Sequence, residues 1–97
     1  MFSKDDKRRL YQLIDLFLTK QITATVFCDE FHNSYDLEID YNTLSPLEYS
    51  AFSELGKVSN RFSRFEEDIQ KYPGTYYNEE ELKQKIIETK ERLKEQN

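Results

Sequence analysis

Apolar residues recur at helical spacing in most of this chain, and only one short stretch alternates as a strand would. That stretch is Tyr35-Asp36-Leu37-Glu38-Ile39-Asp40-Tyr41, and no second strand-like segment exists to pair with it. An unpaired strand leaves its backbone groups unsatisfied, so the sequence predicts an all-α fold. Two Gly and two Pro in 97 residues leave few sharp turns, which agrees with helices joined by few breaks. The expected architecture is a small four-helix bundle in a single domain, residues 1–97. A long connector, able to hold a short extra helix, lies between helices 3 and 4.

The first helix is expected over Asp5 to Thr19, with Leu10, Leu13, Ile14, Phe17 and Leu18 on its inner face and Asp5 and Asp6 at its positive end. Thr23 is placed to cap the second helix, whose buried side carries Phe27, Phe31 and Tyr35. Ser45-Pro46-Leu47-Glu48 is a capping box with Pro at the first helical position. It should open a third helix that buries Leu47, Ala51, Leu55, Val58 and Phe62 and turns Glu48 and Glu54 elsewhere. Ser63-Arg64-Phe65-Glu66 repeats the box and predicts a short turn of helix through Gln70. Pro73-Gly74 fits the centre of a type II turn. Asn78 with Glu81 caps the last helix, which has the inner stripe Leu82, Ile86, Ile87, Thr89 and Leu93. Glu79/Lys83, Glu81/Lys85 and Glu88/Arg92 stand four residues apart along its outer side.

Charge then narrows function. From Gln21 to Gly56 there are seven carboxylates (Asp29, Glu30, Asp36, Glu38, Asp40, Glu48 and Glu54) and no Lys or Arg, and Glu66-Glu67-Asp68 follows. With a formal net charge of -5, the chain is not expected to bind nucleic acid directly, because that depends on Lys and Arg neutralising phosphates. A basic protein is the partner such a surface attracts. No apolar run is long enough to span a bilayer and none follows the charged start as in a signal peptide, so no membrane is expected and the location is read as cytoplasmic. Single Cys28 cannot form an internal disulfide and reads as a small core residue.

Catalytic chemistry finds little material. His32 is the only histidine, so any nucleophile and base pair would rest on it, and it reads as a rim residue of the second helix. Cys and His lack zinc spacing, Asp36-Leu37-Glu38-Ile39-Asp40 lacks the Gly of a calcium loop, and no Gly-rich phosphate loop occurs. No catalytic residues, metal or cofactor are expected. What remains is a contact surface, since tyrosines beside carboxylates are what interface centres favour. Phe17, Phe27, Phe31, Phe52 and Phe62 are core candidates, and Tyr35, Tyr41, Tyr72, Tyr76 and Tyr77 are contact candidates.

The run Leu13-Ile14-Asp15-Leu16-Phe17-Leu18, followed by Ile22-Thr23-Ala24 and Phe27, resembles the start of the colicin D type of immunity protein. That family includes immunity proteins of contact-dependent growth inhibition systems. Arg61-Phe62 after the third helix and Tyr77-Asn78 before the last sit where the family has similar residues. Tyr35-Asp36-Leu37-Glu38 and Phe65-Glu66-Glu67-Asp68 with Tyr72-Pro73-Gly74 look like the contact-dependent subgroup. The resemblance spans Leu13 to Leu93 and implies a helical bundle that neutralises a cognate toxin ribonuclease domain, typically one cleaving transfer RNA, by presenting carboxylates to its basic cleft. Where the colicin D inhibitor is acidic around its Arg-Phe pair, this chain has Asn60 and Ser63. The expected contact set is therefore Glu66, Glu67 and Asp68, helped by Glu54, Asp36, Glu38 and Asp40, with Tyr72, Tyr76 and Tyr77 as packed anchors. A monomer is the favoured state. The alternative is an acidic helical adaptor or nucleic-acid mimic that regulates a host protein.

Overall fold

The computed structural model describes residues 2–63, 65–72 and 74–95, the side chain of Glu66 excepted. All regular elements among them are helical: α1 (Arg8–Leu18), α2 (Ala24–Phe31), a π-helical continuation (His32–Asp36), a 3-10 turn (Tyr41–Thr43), α3 (Pro46–Ser59), α4 (Glu66–Lys71) and α5 (Glu79–Leu93). Helix α3 packs along α5, α1 lies against α2 and α5, and the π segment reaches α1 and α3.

The expected caps mostly form. Thr23 Oγ1 accepts from the Val26 N–H at 3.2 Å and starts α2. Ser45 and Glu48 exchange both bonds of the box that opens α3, and Asn78 and Glu81 do the same for α5. The box proposed at Ser63 would use the Glu66 side chain, which lies outside the described residues. Phe65 is the N-cap of α4, while the Ser63 hydroxyl accepts from the Phe65 N–H (3.1 Å) and donates to Asp68 Oδ2 (3.0 Å). Helix α1 begins later than expected, at Arg8, because the Asp6 carboxylate accepts from the Arg8 N–H (2.9 Å) and from its guanidinium. Those bonds from Arg8 hold the Asp6 carboxyl below its ordinary pKa. The type II turn keeps its signature: Gly74 has φ +81° and the Thr75 N–H donates to Tyr72 O at 3.0 Å, while Pro73 lies outside the described residues.

Phe27, Phe31 and Tyr35 climb α2 and its continuation as a stacked ladder, with ring centroids 5.6 and 5.5 Å apart. Phe52 of α3 leans on Phe31 and Tyr35, and Tyr11 meets it edge to face at 5.5 Å. Leu10, Leu13, Leu55, Leu82 and Ile86 close the core around them. Phe17 and Phe62 are half-buried and pack on its flank. Tyr35, named as a contact candidate, is only 4% exposed. Its spacing of four residues from Phe31 keeps it on the buried face, where its ring stacks on Phe31.

Two acids behave unlike the expectation for α3. Glu48 faces inward and is 3% exposed, and its carboxylate accepts from the Ser45 N–H (2.8 Å), Lys7 Nζ (3.0 Å) and Tyr11 Oη (2.5 Å). Glu54 stays at the surface but is taken up by α5, through Arg92 at 2.5 Å and Lys85 at 3.6 Å. Lys85 and Arg92 thus bridge to α3 instead of forming the expected pairs with Glu81 and Glu88; Lys85 touches Glu88 only at 3.7 Å. A side chain that can reach a neighbouring helix gains partly desolvated contact, whereas an i,i+4 pair in open water is worth only a few tenths of a kcal/mol.

Gly56 sits in α3 against this ladder. A methyl group built there would meet Phe31 Cε1 at 3.7 Å and Tyr35 Cδ2 at 3.9 Å, ordinary contact distances. Because glycine costs about 0.5–1 kcal/mol relative to Ala inside a helix, Gly56→Ala is expected to raise stability by about 1 kcal/mol. Thermal unfolding should show this as a rise in Tm of roughly 4–8 °C. A fall would mean that the ring ladder has no room to accept the methyl.

Candidate protein-interaction site

The fold sorts the carboxylates of the long acidic run into two groups. Glu30 pairs with the buried Arg9 of α1, Glu48 with Lys7, and Glu54 with Arg92 and Lys85, so these three tie helices together. Asp29, Glu38 and Asp40 have no ion pair among the described residues, nor does Glu67 on α4. Asp36 is held by His32 Nδ1 at 2.7 Å and by Asn60 Nδ2 at 3.2 Å, which links the π segment to the end of α3.

Of these unpaired acids, Asp29 lines a cleft of about 570 Å³ between α2, the end of α3 and the connector. Asp29 and His32 line one side and Asp68 and Tyr76 the other, with Cys28 and Phe62 between them. An isolated parallel bridge shapes this cleft: the Ser63 N–H donates to Tyr77 O at 2.9 Å and the Tyr77 N–H to Arg61 O at 2.8 Å, pinning both ends of the connector beside each other. Helix α4 lies within this connector, with Asp68 held by Ser63. Phe65, at 51% exposure, lines the cleft, and Tyr72, at 47%, packs edge to face against Tyr76 at 6.1 Å. Lys71 Nζ lies 5.5 Å from the Tyr72 ring centre.

Of the residues expected to make contacts, Asp68 and Tyr76 line the cleft, Glu67 and Tyr72 adjoin it on α4 and the turn, and Asp36 reaches its edge through His32 and Asn60. Tyr77 is half-buried on another surface, with Val58, Lys85 and Glu88, where Lys85 also holds Glu54. Exposed Glu38 and Asp40 sit along the segment before α3, and Asp40 Oδ1 caps the 3-10 turn by accepting from the Asn42 N–H at 2.9 Å. The side chain of Glu66 lies outside the described residues.

Sequence reasoning passed over Asp29, Asn60 and Phe65 as site residues and placed Cys28 in the core. Their common signal is position on the outward side of α2 or beside the Arg61-Phe62 break, which becomes a surface only after the connector folds back. Cys28 lines the cleft, and burial, with a smaller push from the Asp29 charge, raises its thiol to a pKa of about 12. At pH 8 its thiolate fraction then falls about a thousandfold below that of an ordinary cysteine, only partly offset by the greater nucleophilicity of a more basic sulfur. Alkylation by iodoacetamide in the folded protein should therefore run at least about thirtyfold slower than in denaturant. Equal rates would mean that the thiol is wet.

Among the described residues, no group of three or more His, Cys, Asp or Glu side chains is placed to hold a metal ion, and no helix is long and apolar enough to cross a membrane. No family model, curated protein or solved structure matches the chain.

Proposed function

We propose that this protein is a non-enzymatic, cytoplasmic immunity protein that binds and neutralises a cognate bacterial toxin nuclease, a transfer-RNA-cleaving ribonuclease domain. In this reading α1, α2 with its π continuation, α3 and α5 form a four-helix bundle, and α4 belongs to the connector that builds the contact surface. The observation that carries it is the set of carboxylates with no cation partner among the described residues, Asp29, Glu67 and Asp68, beside a concave surface edged by Phe65, Tyr72 and Tyr76. A nuclease groove must be cationic to hold RNA phosphates, so an anionic surface with fixed aromatic anchors competes for the same lysines and arginines. Such an interface buries on the order of 1,600 Å².

Support also comes from the division of acids. Those that stabilise the scaffold are paired, so a partner can engage the others without unlocking the helices. The test is co-expression with the nuclease toxin domain encoded beside it. Survival of cells that the toxin alone kills is the expected result. Death at equal expression, with the chain folded, would overturn this reading and leave an acidic adaptor of some other basic protein.

A further inference from the structure

We infer that a second docking surface, built on Tyr41 and Tyr49 and continuous with the cleft through Asp36, takes an arginine side chain from a basic segment of the partner. The identity of that partner rests on the toxin-binding reading above; the arginine preference does not. Tyr41 and Tyr49 are 44% and 51% exposed, and their rings meet edge to face at 5.7 Å. Exposed tyrosines usually lose side-chain freedom when they bind, and the hydrogen bond on Tyr41 lowers that cost here. Buried Tyr35 holds the Tyr41 side chain: its backbone oxygen accepts from Tyr41 Oη at 2.9 Å, while its own hydroxyl donates to the Tyr49 backbone oxygen at 3.3 Å and shares a 2.5 Å bond with Ser53 Oγ. Tyr35 also packs on the Tyr41 ring at 5.3 Å.

Along the chain the charge leading into this pair is acidic. Glu38 and Asp40 precede Tyr41 with no cation partner among the described residues, and no Lys or Arg occurs from Gln21 to Gly56. Asp36 lies near enough for its charge to add to burial in raising the Tyr41 hydroxyl, and through His32 and Asn60 it also borders the cleft. An exposed tyrosine pair with a carboxylate close to it suits a planar guanidinium, which can stack on a ring and bridge to an acid at once. An ammonium has the charge but no plane to stack, so this surface discriminates arginine from lysine.

The test titrates two blocked tripeptides, Arg-Gly-Arg and Lys-Gly-Lys, into the full chain at low ionic strength and follows the ring NMR signals of its tyrosines. Expected are shifts at Tyr41 and Tyr49 with the arginine peptide, saturating at least about threefold tighter than with the lysine peptide. Tyr49→Leu, which keeps apolar bulk but removes the π face, should lose that preference, and Tyr72→Leu should retain it. Equal response to both peptides, shifts confined to Tyr72 and Tyr76, or no shifts would each overturn the inference. Because the peptides contain no toxin, failure of cell protection leaves this outcome distinct. If protection holds, Tyr49→Leu should also raise the Kd for the toxin domain about tenfold, and an unchanged Kd would exclude this surface from the interface.

Discussion

Glu48→Ala is expected to lower stability by about 2–3 kcal/mol, which thermal unfolding would read as a loss of roughly 10–20 °C in Tm. The carboxylate is buried and serves three donors at once: the Ser45 backbone, Tyr11 and Lys7. Removing it takes away half of the capping box of α3 and leaves Tyr11 without its acceptor. The loss stays below that of a fully buried pair because the Lys7 side chain, 39% exposed, can be rehydrated. Acid should reproduce part of the effect. Burial alone would raise the Glu48 pKa, but the bonds from Ser45, Tyr11 and Lys7 outweigh it and hold the carboxyl below its ordinary 4.5. The unfolded chain therefore takes up that proton more readily than the folded one. The stabilisation is present above pH 4.5 and drains away as the pH falls through the lower folded value. In Glu48→Gln this part of the acid slope should vanish. An unchanged slope would mean that other carboxylates govern acid unfolding.

Reversing Asp29 and Glu67 to lysine is expected to abolish protection and to raise the Kd for the toxin domain at least about a hundredfold, while leaving helix content unchanged. Neither side chain has a hydrogen bond or ion pair among the described residues, so the exchange breaks no contact of the scaffold and costs only the small favour of an acid in the first turn of α4. In the complex, each new ammonium would face a toxin cation. The same picture fixes the salt response. With a Debye length of roughly 8 Å at physiological ionic strength, added salt should slow association of the native pair more than it speeds dissociation. The double variant should lose that sensitivity. Reversing Glu54, already held by Arg92 and Lys85, should by contrast act on stability first.

Much of the scaffold was legible because it rests on local signals. Thr23, Ser45 with Glu48, and Asn78 with Glu81 mark helix starts through bonds made within three residues, and the stripes of α1 and α5 follow from spacing alone. Long-range pairing was not legible. Whether Lys85 and Arg92 turn to their own helix or to Glu54 depends on how α5 lies against α3. Glu48 was read as an outward acid because burial of a carboxylate requires Tyr11 and Lys7, some 40 residues away, to converge on it. The acidic run was visible at once, yet which of its members are spent on the scaffold is decided by the cations of α1 and α5. The π segment has no comparable local mark; within it Tyr35 keeps the inward face that its spacing from Phe27 and Phe31 predicts, and Asp36 is set between His32 and Asn60. Asp29 and Phe65 became neighbours of one cleft only through the Phe62 to Tyr77 bridge, a contact between residues fifteen apart in sequence.

The most direct measurement is cleavage of transfer RNA by the purified toxin domain as this protein is titrated in, with binding followed in parallel. Cleavage should stop at one equivalent of the native chain and continue with the Asp29→Lys, Glu67→Lys variant. Undiminished cleavage under an excess of folded native chain, or equal inhibition by the variant, would contradict the claim that Asp29 and Glu67 face the nuclease groove.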